Sequence, residues 1–220
     1  MPKTRMARKF LVRTTVVIIV VWSLGFLFIK TAKDAESEAY TIRREHLQNW
    51  TVVTNEAREP QSAVLILRPP PIMPTMISQQ IFLRRMEGLI APNIHGIPLL
   101  LRSEFDKAFA TIASVTELAT IAENIRLTSE PFIPHCLGAR DTGTTRANQI
   151  FFVLFESQTF TRFRKEIGTL LEARGGQPNT YHATTLHPAL VINASGNSLE
   201  GWSPTQQNPK EDCLAPLRIE

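Results

Sequence analysis

The sequence predicts an α+β fold: an N-terminal transmembrane helix, then one exported domain with a mixed or antiparallel sheet and helices packed on one face. Three observations carry this expectation. Thr14 to Ile29 is an uncharged apolar run lying behind Lys3, Arg5, Arg8 and Lys9. Short apolar runs such as "QIFFVLFE" are interleaved with segments of helical period. Taken along the chain, these segments follow the order β-α-β-α(α)-β-β-α-β, which suits a sheet with segregated helices.

A chain of 220 residues with 43% hydrophobic content has room for one sizeable core once the N-terminal segment is set aside. That segment divides into a basic tail at 1–9 and a signal anchor at 10–29. At about 1.5 Å per residue the uncharged run covers roughly 24 Å, so it needs the flank Phe10 to Val12, with Arg13 snorkelling, to cross a bilayer core of about 30 Å. After Ile29 the chain reads "KTAKDAESEAY", with charge where a cleavage site wants small residues, so an uncleaved anchor is expected. The basic cluster before the run puts the N-terminus in the cytoplasm and everything beyond about residue 30 outside it. The expected location is a cell membrane crossed once, with the domain in a bacterial periplasm or, alternatively, an ER or Golgi lumen.

The charge balance follows this division. Seven of the 24 Lys and Arg residues lie in or beside the anchor, whereas all 20 Asp and Glu lie at or beyond Asp34, leaving 17 against 20, about −3. A nucleic-acid partner is therefore not expected, because the basic excess belongs to the membrane-directing segment.

Residues 30–49, rich in charged helix formers, read as a juxtamembrane helical stalk, and 50–193 as the domain. Its first strand is Ser62 to Arg68, ended by Pro69, Pro70 and Pro71. Thr75 reads as the N-cap of a helix to about Leu89 with Ile77, Ile81, Phe82 and Met86 on one face. Ile97 to Arg102 is a second strand. Ser103 and Asp106 resemble a capping box for a helix carrying Phe105, Phe109 and Ile112, and Ser114 or Thr116 caps the next helix. A strand is expected near "IRLTSEPF", then a polar turn-rich segment from His135 to Arg146. Gln149 to Glu156 is a strand, and Ser157 opens a helix whose Phe160, Phe163, Ile167, Leu170 and Leu171 form a stripe ended by Gly175-Gly176. The last strand is "LHPALVIN", and 194–220 reads as an irregular C-terminal strap with Trp202 and Leu214 docking on the domain.

The two cysteines, Cys136 and Cys213, lie in the exported part, where a bridge between them would tie the strap to the domain. Asn49-Trp50-Thr51 and Asn193-Ala194-Ser195 fit the glycosylation pattern. The chain has no phosphate loop, nucleophile elbow, HExxH, CxxC or acidic cation cluster, so neither a metal nor a cofactor is expected. His135, Arg140 and Arg146, interleaved with glycines and threonines, are candidates for holding an anion, against a plain solvated turn. Arg162, Arg164 and Lys165 read as the solvent face of their helix.

The element order, with His95 near the second strand and His182 and His187 near the last, resembles the 2H phosphoesterase superfamily of RNA-ligase-like cyclic phosphodiesterases. The resemblance covers about residues 62–193. It implies a bilobal cleft in which two His-x-Thr/Ser histidines act as general acid and base. His182-Ala183-Thr184 keeps that spacing, whereas His95-Gly96-Ile97 and His187-Pro188-Ala189 lack the hydroxyl. His182 and His187 differ by an odd number, so on one strand they would point to opposite faces. The sequence therefore favours a non-catalytic binding or scaffolding role in an envelope assembly, touching the membrane through 10–29 and a protein partner outside the cytoplasm. A diverged cyclic phosphodiesterase is the alternative.

Overall fold

A computed structural model describes residues 14–30, 38–56, 62–86, 88–91, 96–129, 132–141, 149–177, 181–183, 186–195 and 209–220. The chain divides into two units, Met1–Glu38 and Ala39–Glu220. In the first, residues 14–30 form a helix (α1) whose large apolar side chains, from Val16 to Ile29, are all 49 to 76% exposed. Among the described residues no helix is long and apolar enough to cross a membrane. The flank Phe10 to Arg13 that the spanning reading needs lies outside them.

The second unit is α+β. One sheet has six strands in the order β1-β9-β6-β7-β8-β4: β1 (Tyr40–Ile42), β9 (Cys213–Ile219), β6 (Ile133–Asp141), β7 (Gln149–Glu156), β8 (Ala189–Ser195) and β4 (Leu89–Ile90). It is mixed, because β1 runs parallel to β9 while the other pairs are antiparallel. A three-stranded antiparallel sheet joins β2 (Thr51–Thr54), β3 (Ala63–Arg68) and β5 (Ile97–Leu101). Two sheets thus replace the single one expected.

The centre of the large sheet explains why its strands read so clearly. On β7, Phe151, Val153 and Phe155 face the main core, and Ile150, Phe152 and Leu154 face a second cluster with Cys136, Ala189 and Val191. A strand covered on both faces is apolar at consecutive positions, hence "QIFFVLFE". Gly138 on β6 lies under the Phe152 ring, where a Cβ would come within 2.3 Å of it.

The helices are α2 (Ile72–Arg85), a short α3 (Arg102–Glu104) running into a π-helical turn (Phe105–Phe109), α4 (Val115–Asn124), α5 (Gln158–Ala173) and α6 (Pro209–Asp212). Two caps match the sequence reading: Ser114 accepts from Glu117 N and Ser157 from Phe160 N, both at 3.1 Å. Other starts differ. α2 begins at Ile72, not Thr75, because proline is tolerated in a first turn that needs no N–H; the Thr75 hydroxyl instead donates to Pro71 O. The box at α3 is made by Glu104, whose Oε2 accepts from Leu101 N at 3.0 Å, and not by Ser103 and Asp106. Residues 125–129 are turns where a strand was expected.

Both ends of the domain depart from the sequence reading. Tyr40–Ile42, inside the expected helical stalk, is a strand, since Tyr40 and Ile42 alternate into the core. The expected irregular strap contains β9, a seven-residue strand lying between β1 and β6. Leu214 packs on the core as expected, while Trp202 lies outside the described residues. The outer edge of β1 is covered by a side chain: Gln80 on α2 accepts from Thr41 N and donates to Thr41 O, both at 2.9 Å, occupying ladder positions a new strand would use.

On the surface, Arg174 donates to Ile112 O and forms a two-pronged pair with Glu117, linking α5 to α4. The guanidinium hydrogen bond, opposed by desolvation and helped by the Arg174 charge, holds the Glu117 carboxyl below its usual 4.5. A depressed carboxyl contributes stability above its ordinary pKa and loses it as pH falls through the lowered value. An NMR titration should place the Glu117 midpoint below 4.5 and raise it in Arg174→Gln; an unchanged midpoint in that variant would show that the pair does not form in solution.

Candidate functional site

The sequence candidates fall at scattered places. His95 and Arg146 lie outside the described residues. His182 and His187 precede β8 and are not on a strand, so the parity argument does not apply to them. His182 is exposed. His187 is half-buried at the rim of an open groove of about 590 Å³ whose other wall is the start of α5, with Ser157, Thr161, Arg162 and Lys165.

The expected anion loop is instead part of a clasp. His135 sits where the β6–β7 register shifts between Pro134 and Cys136, and its Nδ1 lies 3.2 Å from Glu156. Arg140 is held in two-pronged fashion by Asp212, Nε to Oδ1 at 3.1 Å and Nη2 to Oδ2 at 2.5 Å. Both groups thus face carboxylates of this chain, which opposes a second anion. Arg140 lies on an extended strand where turns were expected, because Ile133–Asp141 pairs along almost its whole length with β7.

Beside it, a disulfide joins Cys136 to Cys213 with Cα atoms 5.7 Å apart. The bridge and the Arg140–Asp212 pair together fasten the start of β9 to β6. The sulfurs also approach His135, but joined to each other they offer no thiolate to a metal.

The most heavily built polar site was missed in the sequence. Arg164 on α5 is fully buried, and every guanidinium N–H has an acceptor. Nε donates to Ala183 O; Nη1 to Leu99 O and Glu104 Oε2; Nη2 to Glu104 Oε1 at 2.6 Å and His182 O at 3.0 Å. Its Cζ lies 4.4 Å from the centre of the Tyr181 ring, and the Tyr181 hydroxyl donates back to Arg164 O at 2.9 Å. Burial pushes the Tyr181 hydroxyl far above its usual range, although Arg164 pulls the other way, so it stays a donor at any ordinary pH. The network ties β5, α3, α5 and residues 181–183 together. It corrects the solvent-face reading of Arg164, whose position between Phe163 and Ile167 already lies on the apolar stripe. All five guanidinium N–H groups of Arg164 are used inside the domain, so this side chain has none left for a ligand.

The two glycosylation patterns separate. Asn193 is buried on β8 and donates to the Ser78 hydroxyl on α2, so its amide is out of reach of an enzyme, whereas Asn49 is exposed.

Among the described residues of the domain, one uncommitted feature is apolar. On the outer side of α2 and at the edge strand β4, Ile72, Phe82, Leu83, Met86 and Ile90 are exposed to between 47 and 75%. The sequence reading placed Phe82 and Met86 with Ile77 and Ile81; at about 100° per residue they fall on the opposite side, and only Ile77 and Ile81 are buried. No family model, curated protein or solved structure matches this chain.

Proposed function

We propose that the chain is a membrane-held binding or scaffolding protein of the cell envelope, with its α+β domain outside the cytoplasm docking a protein partner through the outer face of α2. The observation that carries the reading is that face. A surface helix normally turns charged side chains to water, and several large apolar side chains exposed on one helix face mark an interaction site. The anchor is proposed to be residues 10–29. Its support is α1, whose exposed apolar side chains have no place in water, together with the basic tail preceding it. The disulfide suits an oxidising compartment. No observation favours the phosphodiesterase reading over this one.

The experiment is a photo-reactive amino acid in place of Leu83, activated in intact membranes, with the same residue at Lys165 on α5 as control. The reading predicts a discrete protein adduct from position 83 and none from 165. No adduct from 83, or equal labelling from both, would remove the binding role.

A further inference from the structure

Helix α2 is packed in the opposite sense to an ordinary surface helix. Its inner side is Met73, Ile77 and Ile81. Opposite them lie Ile72, Thr75, Gln79, Phe82, Leu83 and Met86, all exposed and none charged. Its two arginines are turned into the domain. Arg84 donates to Ala39 O at 2.9 Å and sits 3.9 Å over the Tyr40 ring; Arg85 donates to Gln149 Oε1 at 3.0 Å and lies 5.2 Å from the Phe151 ring.

We propose that this face is closed by a second copy of the chain, α2 packing on α2 about a two-fold axis. The proposal rests on the binding reading above and names its partner. In an isologous contact the same patch meets itself, so a charge near the two-fold axis would face its own copy. Among the described residues the helix side chains of this face carry no charge, and the exposed Arg68 lies at its margin, where it lines a pocket with Thr75. The four large apolar side chains of this face, Ile72, Phe82, Leu83 and Met86, leave on the order of 500 Å² in water, so two copies bury about 1,000 Å² when all four are covered, the size at which a specific interface begins.

The bilayer surface fits less well as the occupant. An interfacial helix flanks its apolar side with basic side chains that meet lipid headgroups, and here both arginines are engaged by the domain. An interface this small is expected to bind in the micromolar range in solution and to be helped by the anchor, which confines the copies to one plane.

Sedimentation equilibrium of the full chain in density-matched detergent tests this. The wild type should be dimeric at micromolar concentration. Leu83→Glu and Met86→Glu should each weaken the dimer by more than about tenfold, since each buries a carboxylate at the contact. Lys165→Glu should leave it intact, and resistance of Cys136 and Cys213 to alkylation checks that every variant is folded. A monomeric wild type, or a dimer that both α2 variants leave unchanged, overturns the proposal. The photo-adduct from position 83 separates the two readings. An adduct of twice the chain mass supports both, one of another mass overturns self-association while binding stands, and none removes both.

Discussion

Replacing Arg164 with methionine should destabilise the domain by about 3 to 5 kcal/mol, among the largest effects of any single substitution in this chain. The side chain is fully buried, and its removal leaves Glu104, only 14% exposed, without its partner. Three backbone carbonyls, on Leu99, His182 and Ala183, lose their donors as well. Arg164→Lys keeps the charge but offers one ammonium where a planar fork serves a carboxylate and three carbonyls, so it should recover only part of the loss. Denaturant unfolding of the full chain in detergent measures both. The pair itself is not the source of the cost: Arg164→Met with Glu104→Leu should be closer to wild type than Arg164→Met alone, because no charge is then left buried. A single variant within about 1 kcal/mol of wild type would mean that Arg164 reaches solvent in solution.

Breaking the Cys136–Cys213 bridge is the second large effect. The bonded residues are 77 apart in sequence, and closing a loop of that length is worth on the order of 4 kcal/mol in the chain-entropy model. The structure adds where the loss falls. β9 is fastened to β6 by the bridge and by Arg140–Asp212, and β1 is held to the sheet by β9 and to α2 by Gln80. Cys136→Ser with Cys213→Ser should therefore lower stability by several kcal/mol and raise amide exchange first in β9 and β1, ahead of β7 and β8. Uniform acceleration across the sheet would place the bridge's effect elsewhere.

Legibility in the sequence followed burial. β7 and α5 were plain because a strand covered on both faces and a helix with one deep stripe write their burial as unbroken period, and the caps Ser114 and Ser157 use local bonds. The strands β1 and β9 are hidden because β1 is only three residues long, β9 lacks a clean alternation, and each is completed by a partner far along the chain, Tyr40 opposite Leu217. No local rule reports such a pairing. The charge of Arg164 conceals its place on the apolar stripe, and the apolarity of Phe82 and Met86 conceals their place on the exposed side of α2. The candidate site suffered most: Arg140 looks like an anion ligand until Asp212, 72 residues away, is brought beside it.

The proposed placement of the domain outside the cytoplasm underlies both the anchor and the role of the disulfide, and it is tested most directly by protease protection in sealed right-side-out vesicles, read with the redox state of Cys136 and Cys213. The account predicts that added protease digests the domain without lysis, and that both cysteines resist alkylation until reductant is added. A domain protected until lysis, with free thiols at Cys136 and Cys213, would contradict it.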